Sequence, residues 1–143
     1  MRHTLWLAIL LALIGVTAFA AGEALAASDG STGKMTQQVA GNGVTVTATL
    51  LRDQPESTAI MLALDTYFVN LIRYDFEELA LLRDDTGKTY SLTTVEQASP
   101  RKPRYRQAVL RFGKVNPEAK TIELIVKDVA GVKERTFRWS TTN

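Results

Sequence analysis

The sequence predicts an all-β protein, an immunoglobulin-like antiparallel β-sandwich of seven or eight strands that follows an N-terminal signal-peptide helix. Apolar and polar residues alternate with a period of two along many short segments, and turn-forming residues separate these segments. This alternation places apolar side chains on one face of a strand. Helical periodicity is confined to the first 27 residues. Short strands at regular spacing with turns between them are typical of sandwiches.

The alternation defines the strands one by one. Residues 44–50 alternate apolar residues with threonines after an Asn42-Gly43 turn signal, and residues 59–64 are apolar on both faces, as in a central strand. Residues 69–72 are a short edge candidate, and Phe76 to Glu78 favour at most one helical turn. The remaining predicted strands are 78–83 and 88–92, which flank an Asp-Asp-Thr-Gly hairpin loop, then 107–112, 121–127 and 135–140. Burial of Phe112, Phe137 and Trp139 is expected to stabilise the core.

The N-terminus has the composition of a secretory signal peptide. Arg2 precedes an apolar run from Leu5 to Ala21, and the small-residue sites Ala18-Phe19-Ala20 and Ala24-Leu25-Ala26 follow. We therefore expect residues 1–27 to be a cleaved leader or, if retained, a membrane anchor. Residues 28–38 are small and polar and are interpreted as a flexible spacer, so the domain is predicted to span 39–143. The predicted location is periplasmic or extracellular.

Two residue types are missing after the leader. The chain contains no Cys, and its one His is His3. Disulfides, thiol nucleophiles, Ser-His triads and metal sites built from His or Cys are therefore excluded for the mature domain, and we expect neither a catalytic residue nor a cofactor. Removing the leader takes away Arg2 and Glu23 together, so the net charge stays at +2, which is too small to indicate nucleic-acid binding.

The most distinctive local feature is the cationic segment 100–106, which contains the two prolines Pro100 and Pro103. Arg101, Lys102, Arg104 and Arg106 lie close together with Tyr105 and without an acidic residue. Proline disfavours regular structure, so the segment is expected to be a loop, where binding residues concentrate. Arginine suits bidentate contacts with oxyanions, which predicts a site for an anionic ligand or partner. The commoner explanation of such a run is a solvated basic loop that balances the acidic residues of 75–85.

Two further candidates have ordinary explanations beside them. Tyr67, adjacent to Phe68, is a candidate for an aromatic binding surface near the loops, and core packing would explain it equally well. Asp84, Asp85 and the carbonyl of Gly87 offer oxygen ligands for calcium, but an Asp-rich hairpin turn is the more common use of this pattern. We therefore predict no metal site.

Three segments together resemble a family of small exported bacterial β-sandwich proteins of unassigned function. They are LALDTYFVNLIRYDFEELALLRDDTGKTY, RYRQAVLRF and IELIVKDVAGVKERTFRW. The family pattern has His after Leu-Asp-Thr and a Gly-Gly-His-His-Arg stretch, where this chain has Tyr67, Arg104 and Tyr105. The resemblance implies a copper- or zinc-handling protein, the alternative function, but the histidines that would bind the metal are absent here.

These observations predict an exported, non-catalytic binding or interaction module of the cell envelope. Its ligand-binding residues are predicted to be Tyr67, Arg101, Lys102, Arg104, Tyr105 and Arg106. The expected partner is an envelope protein or an anionic ligand. Nucleic acid is not expected, membrane contact is expected only through a retained leader, and the domain is expected to be a monomer.

Overall fold

A computed structural model describes residues 35–141 of the chain. The predicted leader and the first part of the predicted spacer lie outside the described residues. Within residues 35–141 no helix is long and apolar enough to cross a membrane.

The described residues form nine strands and one short helix. The strands are β1 (Thr36–Gly41), β2 (Val44–Leu51), β3 (Thr58–Thr66), β4 (Ala80–Asp84), β5 (Thr89–Tyr90), β6 (Leu92–Gln97), β7 (Tyr105–Phe112), β8 (Thr121–Val129) and β9 (Val132–Ser140), and the helix is α1 (Phe76–Leu79).

The strands build two antiparallel sheets that pack face to face, so the predicted all-β sandwich is confirmed. One sheet has the order β1-β2-β3-β7-β6, and the other has the order β5-β4-β8-β9. The described chain crosses between the sheets three times: between β3 and β4, where α1 lies, at Ser91 between β5 and β6, and through the loop 113–120 between β7 and β8. The helical turn expected near Phe76 is confirmed as α1.

Alternation determines which face of each sheet is buried. In β2 the side chains of Val44, Val46 and Ala48 are buried, while the threonines between them face the outer side of the sheet. The core joins both sheets in one cluster of buried residues. Phe112, Phe137 and Trp139 are fully buried as expected, and the rings of Phe137 and Trp139 stack with centroids 6.4 Å apart.

Three segments differ from the prediction. Residues 69–72 were predicted as an edge strand, which is wrong: they belong to a loop that pairs with no strand. β1 and β6 were not predicted, and β1 begins at Thr36, within the segment interpreted as a spacer. The predicted strand 88–92 is interrupted at Ser91, where the chain passes from one sheet to the other.

The antiparallel order gathers the connections at two opposite ends of the sandwich. One end, called here the basic end, contains the turns at 42–43 and 130–131 and the loops 67–75 and 98–104. The other, called the cleft end, contains the loops 52–57, 85–88 and 113–120. The cationic segment and Tyr67 therefore lie at the same end, although more than 30 residues separate them in the chain.

Candidate functional site

The cationic segment and the loop 67–75 are bonded to each other along their length at the basic end. The Leu71 amide donates to the Pro103 carbonyl at 2.8 Å, and the Thr66 amide donates to the Arg104 carbonyl at 3.1 Å. Arg101 donates to the Ile72 carbonyl at 2.7 Å. These bonds give the two segments a common, ordered conformation.

Arg106 holds this arrangement from inside. Its side chain is buried, with 2% of its surface exposed, and its guanidinium donates to the carbonyls of Leu71 and Tyr74. The same group lies 4.7 Å from the ring centroid of Phe76, a cation–π contact. Burial lowers the pKa of Arg106, and the nearby charge of Arg101 lowers it further. Arg106 is thus used internally and presents almost no surface to a ligand.

The guanidinium groups of Arg104 and Arg101 each bond to the protein and are also partly exposed to solvent. Arg104 donates to the Tyr67 carbonyl, and Arg101 forms an ion pair with Asp75 at 3.0 Å. Both residues are exposed. An exposed pair such as Arg101–Asp75 adds little to stability, typically about 0–1 kcal/mol, but it fixes where the guanidinium lies.

Lys102 differs from its neighbours because its ammonium group is not used by the fold. It is exposed, and among residues 35–141 it makes no hydrogen bond or ion pair. Lys102 and the outer edge of Arg104 are therefore the cationic groups of the segment that an external anion can reach without displacing a carboxylate.

A second buried arginine, Arg135, anchors the turns at the same end. It donates to the Val129 carbonyl at 2.9 Å and to the Gly41 carbonyl at 2.7 Å, which joins the turns of the two sheets. Burial lowers its pKa. The Asn42 side chain adds a bond of 2.9 Å to the Ala130 carbonyl. The turns are thereby held against each other beneath the loops.

Tyr74 lies between the loops and these turns. Its hydroxyl accepts hydrogen bonds from the Ala130 amide at 3.0 Å and from Arg73 at 2.9 Å. Burial by itself would raise the pKa of Tyr74, but the hydrogen bonds from Arg73 and Ala130 outweigh it, so the pKa is lowered.

Large apolar side chains are exposed on the outside of this scaffold. Five are exposed among the described residues, and four of them lie at the basic end: Tyr67 is 95% exposed, Phe68 69%, Ile72 40% and Tyr105 37%. Large exposed apolar patches on soluble proteins often mark binding sites, so this concentration at one end makes the basic end a candidate. We call these four residues, together with Lys102 and Arg104, the aromatic–basic surface.

Phe68 is exposed but closely supported. Its ring lies directly against Gly43, where even an added Cβ atom would overlap the ring. The Thr66 hydroxyl accepts from the amides of Phe68 and Val69 and donates to the Gly43 carbonyl at 2.7 Å. The aromatic part of the surface is therefore placed by specific contacts with the turn below it.

The structure brings five of the six predicted ligand-binding residues to an accessible surface. Tyr67, Arg101, Lys102, Arg104 and Tyr105 are exposed at the basic end. Arg106, the sixth, points inwards because its position in β7 faces the core. Core packing of Tyr67, the other explanation considered, does not apply at 95% exposure.

The positions at which this chain lacks the histidines of the resembled family, residues 67, 104 and 105, also lie close together. The bonds between Thr66, Tyr67 and Arg104 place residue 67 next to residues 104 and 105. Within residues 35–141, no group of three or more His, Cys, Asp or Glu side chains is arranged to hold a metal ion.

The Asp-rich hairpin at the cleft end uses its carboxylates internally. Asp84 accepts from the Thr86 hydroxyl and amide, the Lys88 amide and the Tyr90 hydroxyl at 2.6 to 3.1 Å. The bond from the Thr86 hydroxyl is the main cause that lowers the pKa of Asp84 from 3.8 to about 2; burial acts against it. Asp85 accepts from the Lys120 amide at 3.0 Å. These bonds are those of a hairpin turn.

Several important residues were not identified from the sequence. Ile72 carried no signal as a surface residue, because its segment was interpreted as an edge strand. Arg135 alternates with Phe137 and Trp139 on the inward face of β9, and that register could have revealed a buried arginine.

Comparison of the chain with family models, curated protein sequences and solved structures found no match.

Proposed function

We propose that this protein is an exported, non-catalytic binding module of the cell envelope that recognises an anionic partner through the aromatic–basic surface. The observation that supports the proposal best is the exposure of Tyr67 and Phe68 on a loop that arginine side chains hold in place. Sandwich domains commonly bind through the loops at one end, so the location fits this role.

The residue types of the surface suit recognition of an anion. Tyrosine and arginine are enriched among the residues that dominate binding energy at protein interfaces. Lys102 and Arg104 supply positive charge beside the aromatic rings, and guanidinium groups match carboxylate or phosphate oxygens. A loop that is already ordered loses less conformational entropy on binding, which favours affinity.

The non-catalytic part of the proposal rests on residue chemistry. Beyond the leader the chain contains neither His nor Cys, so the common pairs of nucleophile and base cannot form. Arg106 and Arg104 donate hydrogen bonds to loop carbonyls, so Arg106 and one side of Arg104 hold the loop in place.

The proposal can be tested with two soluble polyanions, poly-L-glutamate for carboxylates and polyphosphate for phosphates. Soluble probes are preferable to lipid vesicles, because the apolar leader would bind vesicles by itself. We expect at least one probe to bind at low ionic strength and to be released as salt is added.

Two substitutions locate the binding. Lys102→Gln removes one cation, and Tyr67→Ala removes the most exposed ring; each is expected to weaken binding about 5- to 30-fold, as for central residues of an interface. Lys120→Gln is the matched control, because Lys120 is also exposed but lies at the cleft end. No binding of either probe at low ionic strength would contradict the proposal, as would an equal loss in Lys120→Gln.

A further inference from the structure

The cleft end contains an open cavity between the two sheets. Its volume is about 410 Å³, within the range of ligand sites, on the order of 300–1,000 Å³. Five apolar side chains line it: Leu50 and Leu51 from the end of β2, Pro55 from the loop 52–57, Ile122 from β8, and Val115 from the loop 113–120. The cavity exists because the strands of the two sheets end here and the loops 52–57 and 113–120 do not close over the gap.

Polar groups converge on the mouth of this cavity. Asp53 lines it and accepts from Arg111 at 2.9 and 3.4 Å; the hydrogen bond from Arg111 is the main cause that lowers the pKa of Asp53, so its carboxylate stays ionised. Ser57 also lines the cavity; its Oγ atom is buried and has no hydrogen-bond partner among residues 35–141, so a change of its χ1 rotamer is needed to turn the hydroxyl towards a ligand. A buried hydroxyl without a partner is costly, and a ligand with a hydrogen-bonding group would relieve that cost.

The charges around the mouth balance each other. Arg52 and Asp53 carry opposite signs, and Arg111 forms ion pairs with both Asp53 and Glu96. A charged head group would therefore be attracted by one neighbour and repelled by the next, whereas a neutral polar group meets no such conflict. The volume has room for roughly a dozen non-hydrogen atoms at about 30 Å³ each, the share of a water molecule.

We propose that this cleft binds a neutral, compact amphiphile, with an apolar body between Leu50, Val115 and Ile122 and one hydroxyl or carbonyl group that pairs with Ser57. An apolar cavity with a few converging polar groups and a carboxylate of shifted pKa has the composition of a small-molecule site. This site is separate from the aromatic–basic surface, which lies at the opposite end of the sandwich, and does not depend on the proposed function.

The chain itself is the competing occupant. The Met35 carbonyl accepts from the Leu50 amide at 2.9 Å, so Met35, the first described residue, lies beside the cleft. If the residues before Met35 filled the cleft, a small molecule would not bind to the full chain.

The test uses 2-naphthol, which is neutral at pH 7 and carries one hydroxyl group, with naphthalene and 2-naphthoate as matched probes. Titration of the full chain, followed by amide chemical shifts in NMR, is expected to show saturable binding of 2-naphthol, with the largest shifts at residues 50–58 and 115. We expect naphthalene to bind more weakly and 2-naphthoate to bind least.

Substitutions distinguish the cleft from other sites. Ser57→Ala is expected to weaken binding of 2-naphthol roughly 2- to 10-fold, the effect of one hydrogen bond, and to leave naphthalene unchanged. Val115→Trp fills the cavity and is expected to abolish binding of both. Tyr67→Ala, at the basic end, is the control and should change neither.

Three outcomes would overturn the proposal: no saturable binding of 2-naphthol to the full chain, equal binding of 2-naphthol to Ser57→Ala, or shifts centred away from the cleft. Ser57→Ala removes a single oxygen atom, so it remains informative if Val115→Trp does not fold.

Discussion

Arg106 and Arg135 are buried, and their side-chain hydrogen bonds within the described residues go to backbone carbonyls rather than to carboxylates. Each guanidinium bridges two carbonyls of the basic end, which lie in the loop 67–75 for Arg106 and at the ends of β1 and β8 for Arg135. Charged donors make stronger hydrogen bonds than neutral ones, which offsets part of the cost of burying the charge. The planar guanidinium reaches two acceptors at once, a geometry that lysine cannot reproduce. The loops that carry the aromatic–basic surface are therefore positioned by single buried side chains.

The lowered pKa of Asp84 predicts how the free energy of unfolding depends on pH. The pKa of Asp84 in the folded protein, about 2, is below its ordinary value of 3.8. The charged carboxylate therefore contributes its full stabilisation of the folded state above pH 4. That contribution is expected to be lost as the pH falls from about 4 towards 2, because protonation removes the hydrogen bonds to the charged carboxylate. Urea unfolding at pH 7, 4, 3 and 2 measures the loss.

Asp84→Asn provides the comparison for this prediction. The variant should be less stable than the native chain at pH 7, and the difference should shrink as the pH falls through the same window. A difference that stays constant from pH 7 to pH 2 would show that the charge of Asp84 does not stabilise the hairpin. Glu118→Gln, an exposed carboxylate in the nearby loop, is the control for the loss of one negative charge.

The turn between β1 and β2 links backbone conformation to the candidate site. Asn42 and Gly43 both have positive φ, 49° and 83°, as in the tight turns that fit the twist of a hairpin. Asparagine and glycine tolerate this conformation, and glycine also leaves the space that the Phe68 ring fills. The turn is therefore both a connection between strands and the support of an exposed aromatic residue.

Gly43→Ala tests this double role. The left-handed conformation costs a residue with a Cβ atom about 1–2 kcal/mol, and the new methyl group would in addition displace Phe68. Gly87→Ala is the matched control, because Gly87 has a similar φ of 90° but open space around its Cα atom. We expect Gly43→Ala to lower the free energy of unfolding more than Gly87→Ala does.

The double variant Gly43→Ala/Phe68→Ala separates strain from steric overlap. Removing the ring should reduce the cost of the alanine at position 43 to about that of Gly87→Ala, a non-additive result typical of residues in contact. Additive effects in urea unfolding would contradict the proposed contact between residues 43 and 68.

Side chains also connect strands that belong to different sheets. The Gln37 side chain donates to the Arg138 carbonyl at 2.6 Å and accepts from the Arg138 amide at 3.3 Å, so it pairs with β9 as a neighbouring strand would. Trp139 donates to the Met35 carbonyl at 2.9 Å. β1 is thereby attached to both sheets, although its own sequence has a weak alternation.

Both sheets of the described domain, residues 35–141, share one core, and this predicts cooperative unfolding. Buried residues from both sheets form a continuous cluster, which includes the fully buried Trp139. Neither sheet can lose its inner face to water without exposing the other, so we expect a single two-state transition.

Trp139 is a convenient probe of this transition. In the variant Trp6→Phe it is the only remaining tryptophan of the chain. Its fluorescence and the far-ultraviolet circular dichroism are expected to give coincident unfolding curves in urea. Separate midpoints for the two signals would show that the sheets unfold independently.

The separation of the two ends decides which surface is available for which role. The described chain begins and finishes at the cleft end, with Met35 beside Leu50 and Thr141 bonded to Ala119 and Lys120. The aromatic–basic surface lies at the other end, away from both Met35 and Thr141.

The amino-acid sequence alone determined the class of fold and much of the strand pattern. Alternation with period two is a local property, so the predicted cores of β2, β3, β7, β8 and β9 agree with the structure. Absent residue types are also visible without coordinates, which is why His and Cys chemistry was excluded at once. Export, the anionic partner and the family resemblance remain predictions.

The tertiary structure decided what the side chains of the basic end do. Residues 69–72 were predicted as an edge strand, but they form a loop in which Leu71 is buried and its carbonyl accepts a hydrogen bond from the buried Arg106. The run of cations looked uniform in sequence, yet Arg106 is internal, Arg101 is paired, and Lys102 makes no hydrogen bond or ion pair within the described residues. Which carbonyls lie within reach of an arginine depends on contacts between residues about 30 positions apart, and local periodicity carries no information about them.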